Sequence, residues 1–100
     1  MATPEGAVKA KVSSYLKSLG PDCYYEMPVP SGFGKSGLDY SGCYKGLAFF
    51  IETKSPSKKP TPRQRATIEK QKASGAAVFV IDGDLSELKE WIKEHRDLRQ

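Results

Sequence analysis

The sequence predicts an α/β fold in the order αβββαβα, with a mixed central sheet of about four strands flanked by helices. Three observations support this expectation: apolar residues at helical spacing near the N-terminus, two alternating segments around a Lys-Gly pair, and a continuous apolar run between two later helical segments. The length of 100 residues fits one domain spanning residues 1–100, and a hydrophobic content of 38% suffices for a modest core.

The first helix is predicted over residues 4–19. Thr3 is a suitable N-cap residue because a proline follows it at the first helical position, and Gly20 and Pro21 end the helix. Glu5 lies on the stripe that should face the core, one turn before its apolar members. Those apolar residues recur at helical spacing and are Val8, Val12, Leu16 and Leu19.

Three strands are expected in the next part of the chain. Residues 24–29 form a short aromatic and β-branched run, and residues 31–37 form a glycine-rich loop. Residues 38–44 and 47–54 alternate on either side of the Lys-Gly pair and are predicted to form a hairpin around a tight turn.

A helical crossover and the last two elements complete the predicted order. After a loop over residues 55–62, Thr61 and Gln64 have the spacing of a capping box, which begins a helix that reaches about residue 74. The apolar run of residues 76–81 is typical of a strand buried on both faces. Following a crossover, this strand should pair in parallel with the second hairpin strand. A final amphipathic helix follows it.

Strand alternation divides the second hairpin strand into two faces. One face carries Leu47, Phe49, Ile51 and Thr53, and the other carries Ala48, Phe50, Glu52 and Lys54. If the turn has two residues, continuing the register sets Asp39 opposite Glu52 on the same face, whereas a one-residue change in the turn sends Asp39 to the opposite face. Opposed carboxylates cost a few tenths to about 1 kcal/mol. A divalent cation between them is the simplest explanation, since Mg²⁺ binds one or two carboxylates together with water and phosphate.

The residue types exclude several kinds of site. Cys23 and Cys43 are too few for a disulfide framework and wrongly spaced for zinc, and His95 is the single histidine. Catalysis must therefore depend on carboxylates, lysines and a hard metal. Lys54 suits such chemistry because its ammonium can hold the attacking water or the scissile phosphate, or serve as a general base.

The charge distribution favours a polyanionic partner. The net charge is +4, and the acidic residues gather near the C-terminus. Residues 54–65 contain no acidic residue, and their basic members are Lys54, Lys58, Lys59, Arg63 and Arg65. We expect this basic segment to contact phosphates.

Three segments resemble a known family. Asp39, followed by Glu-Thr-Lys at the end of an apolar strand, resembles the core of the PD-(D/E)XK nucleases, whose restriction-endonuclease-like fold has the same order of elements. More specifically, SGLD at 36–39, FIETK at 50–54 and TPRQ at 61–64 resemble the virus-type replication-repair nuclease (VRR-NUC) domain. The similarity covers roughly residues 5–82. Leu38 replaces the proline of the motif, at a position that varies.

The resemblance implies a role for each site residue. It implies Mg²⁺ or Mn²⁺ bound by Asp39, Glu52, the Thr53 carbonyl and Glu5. The catalytic set would be Asp39, Glu52, Lys54, Glu5 and Gln64, with Lys54 at the nucleophile. Two roles have alternatives, because Glu5 also suits a helix N-terminus and Gln64 also suits the capping box. The expected nucleic-acid-binding residues are Lys35, Lys58, Lys59, Arg63 and Arg65.

The expected function is divalent-metal-dependent hydrolysis of DNA phosphodiesters. The enzyme would be structure-selective, resembling Holliday junction resolvases, and a homodimer would supply paired sites. The alternatives are a flap or single-strand nuclease, a non-catalytic module that binds branched DNA, and a domain that serves only protein assembly. No run of about 18 apolar residues is present, and the N-terminus lacks a signal-peptide layout. We therefore expect a cytoplasmic location, in a bacterial or phage-infected cell.

Overall fold

The helices and strands follow the predicted αβββαβα order. The computed structural model describes residues 3–27 and 39–96. Its elements are α1 Pro4–Ser18, β1 Cys23–Glu26, β2 Tyr40–Tyr44, β3 Leu47–Thr53, α2 Pro62–Ala73, β4 Ala77–Ile81 and α3 Ser86–Arg96. The predicted fold class is thus confirmed. Within the described ranges, no helix is both long and apolar enough to cross a membrane.

The four strands form one mixed sheet in the order β1-β2-β3-β4. Antiparallel pairing joins β1 to β2 and β2 to β3, whereas β3 and β4 pair in parallel from Phe49–Ala77 to Thr53–Ile81. The parallel pair confirms the predicted crossover through α2, because strands that run in the same direction need a connection that returns the chain to the same end.

The hairpin turn between β2 and β3 has two residues, as its sequence predicts. Lys45 and Gly46 both have positive φ values, 49° and 87°, which is the requirement of a type I′ turn. The register then runs from Tyr44–Leu47 to Tyr40–Ile51. Pairing stops there, one residue short of the predicted Asp39–Glu52 pair, so Asp39 lies just beyond the strand.

Several predicted boundaries are wrong. The first strand, predicted over residues 24–29, ends at Glu26, and the next strand begins at Tyr40 rather than at residue 38. The predicted loop of residues 31–37, which includes Lys35, lies outside the described residues, as does Leu38.

Helices α1 and α3 cover one face of the sheet and enclose the core. The buried cluster contains Val8, Val12, Leu16, Tyr40, Tyr44, Phe49, Ile51, Phe79, Ile81, Leu85, Leu88 and Ile92. Tyr40 is fully buried, and its hydroxyl donates to the carbonyl of Lys9 at 2.9 Å and lies 2.7 Å from Ser13 Oγ. These bonds hold α1 against the start of β2. They therefore set where the first turns of α1 lie relative to Asp39.

The second face of the sheet is only partly covered. Ile68 is the one buried side chain of α2, and Val80 on β4 remains 41% exposed. The expectation that residues 76–81 form a strand buried on both faces is therefore wrong. The physical reason is that β4 is an edge strand, and the mostly polar helix α2 does not extend over all of it.

Candidate active site

The predicted site residues gather where β2 begins, beside the last residues of β3. Asp39 precedes β2, while Glu52 and Thr53 close β3 and Lys54 follows it. Two helices also reach this place, because Lys9 of α1 contacts Asp39 and Gln64 at the start of α2 contacts Glu52.

Asp39 is bound to Thr53 by two hydrogen bonds. Its Oδ2 accepts from the backbone N–H of Thr53 at 2.8 Å and from the Thr53 hydroxyl at 2.6 Å. The carboxylate thus takes the place of a ladder acceptor, since the pairing of β2 with β3 stops at Tyr40. The N–H and C=O of a strand residue point to the same side, so the Thr53 carbonyl also lies on the Asp39 side of β3.

Glu52 is a buried carboxylate with two partners on one oxygen. Its residue exposure is 3%. Oε2 accepts from Gln64 Nε2 at 2.7 Å and lies 3.2 Å from the ammonium of Lys54. Burial raises the pKa of Glu52 above its ordinary value, and the nearby negative charge of Asp39 raises this pKa further, while Lys54 opposes the shift. The strand alternation that places Glu52 and Lys54 on one face is confirmed.

Gln64 serves the helix cap and the site together. Its Oε1 accepts from the backbone N–H of Thr61 at 2.9 Å, and Thr61 Oγ1 accepts from the backbone N–H of Gln64 at 3.1 Å. This is the predicted capping box. Nε2 of the same amide donates to Glu52, so one side chain makes both the cap and a contact with a predicted site residue.

Glu5 is linked to Asp39 by Lys9, a residue that the sequence analysis did not include in the site. Lys9 Nζ lies 3.5 Å from Glu5 Oε2 and 3.8 Å from Asp39 Oδ1. The i, i+4 spacing of Glu5 and Lys9 predicts their ion pair. Nothing in that local pattern indicates Asp39 as a further partner, because the contact depends on how α1 docks on the sheet.

The basic segment begins directly after the site. Lys58 and Lys59 are exposed in the loop, and Arg63 and Arg65 are exposed in the first turns of α2. Arg65 Nη1 donates to the carbonyl of Pro60 at 3.4 Å, which ties the start of the helix to the loop. Four of the five predicted nucleic-acid-binding residues therefore lie beside the site, and the fifth, Lys35, is outside the described residues.

The donor atoms at this place fit a hard divalent cation. The carboxylates of Asp39 and Glu52 influence each other electrostatically, and the Thr53 carbonyl lies on the Asp39 side of β3. These oxygen donors are the kind that Mg²⁺ and Mn²⁺ prefer. Residues 3–27 and 39–96 contain no group of three or more His, Cys, Asp or Glu side chains placed to hold a metal. A pair of carboxylates is nevertheless a normal Mg²⁺ donor set, since water and phosphate fill the other positions.

Comparison with solved structures shows a strong similarity to a nuclease domain. No protein-family model matches the sequence, and no curated protein matches it. A solved structure described as a VRR_NUC domain superposes with a TM-score of 0.70 at 30% sequence identity, over 94% of this chain and 98% of that chain. Similarity of this extent at this identity shows common descent as well as common fold. The chain therefore belongs to the VRR-NUC family of nuclease domains.

Proposed function

We propose that this chain is a DNA endonuclease that depends on Mg²⁺ or Mn²⁺ and prefers branched DNA. The observation that carries the proposal is the buried carboxylate of Glu52, 3% exposed, held by Lys54 and Gln64 in a chain of the VRR-NUC family. A buried charge is costly unless it is paired and hydrogen-bonded. Lys54 and Gln64 supply that pairing, and a cation bound by both carboxylates would offset the repulsion between Glu52 and Asp39.

Asp39, Glu52 and the Thr53 carbonyl would hold the ion. Glu5 is paired with Lys9 in this structure and would contribute from α1 once that pair opens. When bound, the ion would lower the pKa of a coordinated water and offset negative charge on the phosphate. The protein's part is to keep the ligands in place. Thr53 orients Asp39 through two hydrogen bonds, and Gln64 orients Glu52 through one.

Lys54 would act on the reacting groups. Its side chain is 14% exposed and its ammonium lies 3.2 Å from Glu52, so it is held close to the proposed ligands while one side remains accessible. From there the ammonium can orient the attacking water or neutralise a non-bridging phosphate oxygen. Exchange for a neutral side chain should therefore reduce cleavage more than DNA binding.

The substrate preference rests on the basic segment and on symmetry. Exposed Lys58, Lys59, Arg63 and Arg65 suit contacts to the DNA backbone, which position the protein and carry no base sequence. Resolving a four-way junction needs two nicks related by approximate two-fold symmetry. A homodimer would supply the two sites, and we include this dimer in the proposal.

The test is a cleavage assay on matched DNA substrates. Four-way, flap, single-stranded and linear duplex DNA of shared sequence would be incubated with Mg²⁺, Mn²⁺, Ca²⁺ or EDTA. We expect paired nicks in the four-way junction with Mg²⁺ or Mn²⁺, no cleavage in EDTA, and a dimer by sedimentation. Preferential cutting of flap or single-stranded DNA would instead assign the chain to those substrates.

Two variants and a control complete the design. Glu52→Gln and Lys54→Met should lose cleavage by at least about a hundredfold, as expected when an acid–base or charge-stabilising group is removed, and should still bind the junction in Ca²⁺. Glu69→Gln removes a carboxylate from the exposed part of α2 and should cleave as the wild type does. Undiminished cleavage by Glu52→Gln, or junction binding with no cleavage in any metal, would overturn the endonuclease proposal.

A further inference from the structure

Lys9 places a positive charge between two carboxylates of the candidate site. Its ammonium lies 3.5 Å from Glu5 Oε2 and 3.8 Å from Asp39 Oδ1. Both carboxylates belong to the residues that the VRR-NUC resemblance implies as metal ligands. The ammonium therefore shares its anionic partners with the cation of the proposed function.

The position of Lys9 is fixed by buried contacts on the other side of its backbone. The hydroxyl of Tyr40 donates to the Lys9 carbonyl at 2.9 Å and lies 2.7 Å from Ser13 Oγ on the next turn of α1. Tyr40 is fully buried and directly follows Asp39 in the chain. The bond between Tyr40 and the Lys9 carbonyl thus joins α1 to β2 next to Asp39. The packing of α1 on the sheet therefore directs the Lys9 ammonium to Asp39.

The two oxygens of Asp39 have different partners. Oδ2 accepts both hydrogen bonds from Thr53, while Oδ1 is the oxygen near Lys9. With Oδ2 engaged by two donors, Oδ1 is the better placed oxygen for a metal ion. An ammonium and a divalent cation cannot both approach this oxygen closely, because like charges repel more strongly in a partly buried site than in water.

We infer that Lys9 is an internal competitor of the catalytic metal: its ammonium neutralises Asp39 and Glu5 until a divalent cation displaces it. The inference rests on the proposed function, because it assumes that Asp39 is a metal ligand. Lys9 acts here through Asp39 and Glu5 and is a positioning residue. It keeps the two carboxylates together in the metal-free protein and sets the metal concentration at which the site fills.

The inference predicts a tighter metal site when the ammonium is removed. Lys9→Met leaves Asp39 and Glu5 without this cation, so the attraction of the site for a divalent ion should increase. At an effective dielectric constant near 20, the interaction of charges a few ångströms apart corresponds to a change of at least about tenfold in the Kd for Mn²⁺. A purely structural ion pair between exposed side chains would leave the metal affinity unchanged.

The experiment is a Mn²⁺ titration of the metal-free full chain without DNA, followed by electron paramagnetic resonance at constant ionic strength. Lys9→Met is compared with Lys9→Arg, which keeps the charge, and with Lys17→Met, which removes a charge from the same helix. Lys17 is eight residues further along α1, about 12 Å along the helix axis, which exceeds the screening length of about 10 Å at 0.1 M salt. Thermal unfolding checks that every variant is folded, and Lys9→Gln replaces Lys9→Met if that variant is not.

The outcomes separate the inference from the proposed function. A Kd lowered about tenfold or more in Lys9→Met, with Lys9→Arg and Lys17→Met near the wild type, supports the inference. An unchanged Kd in Lys9→Met overturns it, as does a raised Kd, which would make Lys9 a support for the ligands. A wild-type chain that binds no Mn²⁺ and cuts no DNA overturns the proposed function and this inference together.

Discussion

The backbone N–H and the hydroxyl of Thr53 donate to the same oxygen of Asp39, at 2.8 and 2.6 Å. Thr53 is fully buried, and this pair joins the end of β3 to the residue that precedes β2. A side chain here continues the connection between two strands after their ladder has ended. It also orients one proposed metal ligand.

Thr53→Val tests the contribution of the hydroxyl. Valine keeps the shape but removes one hydrogen bond to a charged acceptor, so the free energy of unfolding should fall by about 1.5–3 kcal/mol. Mn²⁺ binding should weaken several-fold because Asp39 is held by one bond instead of two. Thr53→Ser keeps the hydroxyl and loses only a methyl group, at a cost near 1 kcal/mol, so its Mn²⁺ affinity should stay near the wild-type value. Equal Mn²⁺ affinities in the valine and serine variants would contradict the orienting role.

Thr61→Ala and Gln64→Ala separate the helix cap from the active site. Thr61→Ala removes the cap and should cost about 0.5–2 kcal/mol in urea unfolding, yet it leaves the bond from Gln64 to Glu52. Gln64→Ala also removes the partner of a buried carboxylate oxygen, which should cost a further 1–3 kcal/mol or so. Only the second variant should lower the cleavage rate at saturating Mg²⁺. If both variants lower that rate equally, Gln64 has no role at the site apart from the cap.

The raised pKa of Glu52 predicts how the stability of the metal-free protein changes with pH. Burial first and the charge of Asp39 second raise the folded-state pKa above the ordinary value of 4.5. The ionised carboxylate therefore costs stability above the folded-state pKa, and the cost disappears as pH falls through that pKa toward 4.5. Glu52→Gln should be more stable than the wild type at neutral pH in EDTA, and its advantage should shrink on acidification.

Urea unfolding of both proteins between neutral pH and pH 4.5 measures this difference. Glu69→Gln, on the exposed part of α2, provides the matched control and should differ from the wild type by an amount that hardly changes with pH. An advantage of Glu52→Gln that grows as pH falls would show that the ionised form of Glu52 is the one favoured by the fold.

The basic segment predicts a specific change in the salt dependence of DNA binding. Each phosphate contact that is lost should reduce the slope of log K against log salt by about 0.9. The double variant Lys58→Ala with Lys59→Ala should therefore reduce the slope by roughly one to two units in Ca²⁺ with junction DNA. The control removes two exposed lysines from the far end of α2, Lys70→Ala with Lys72→Ala, and should leave the slope unchanged. Equal slopes for the two double variants would mean that the basic loop does not contact the phosphates.

Local patterns were enough to predict the hairpin and the orientation of its active-site residues. A Lys-Gly pair between alternating segments indicates a two-residue turn, and the positive φ values of Lys45 and Gly46 confirm it. Alternation along β3 then places Glu52 and Lys54 on one face, where they form an ion pair. These features depend on backbone geometry within a few residues, which is the range that a sequence pattern encodes.

Features that depend on packing between distant elements were missed or wrong. Val80 is exposed because β4 is an edge strand, and an apolar run does not show how far a neighbouring helix extends over it. The boundary of β2 at Tyr40 depends on Asp39 leaving the ladder to bind Thr53. Neither outcome follows from the propensities of the residues concerned.

The sequence by itself determined the order of the elements, the turn, the face that carries Glu52 and Lys54, and the capping box at the start of α2. Only the tertiary structure decided that Gln64 of that cap also binds Glu52, and that Lys9 meets Asp39. Thirty positions separate Lys9 from Asp39, and their contact exists because the buried Tyr40 hydroxyl holds α1 against β2. Turn geometry and periodicity depend on residues that are close together in the sequence. The docking of a helix on a sheet is set instead by the packing of the whole core.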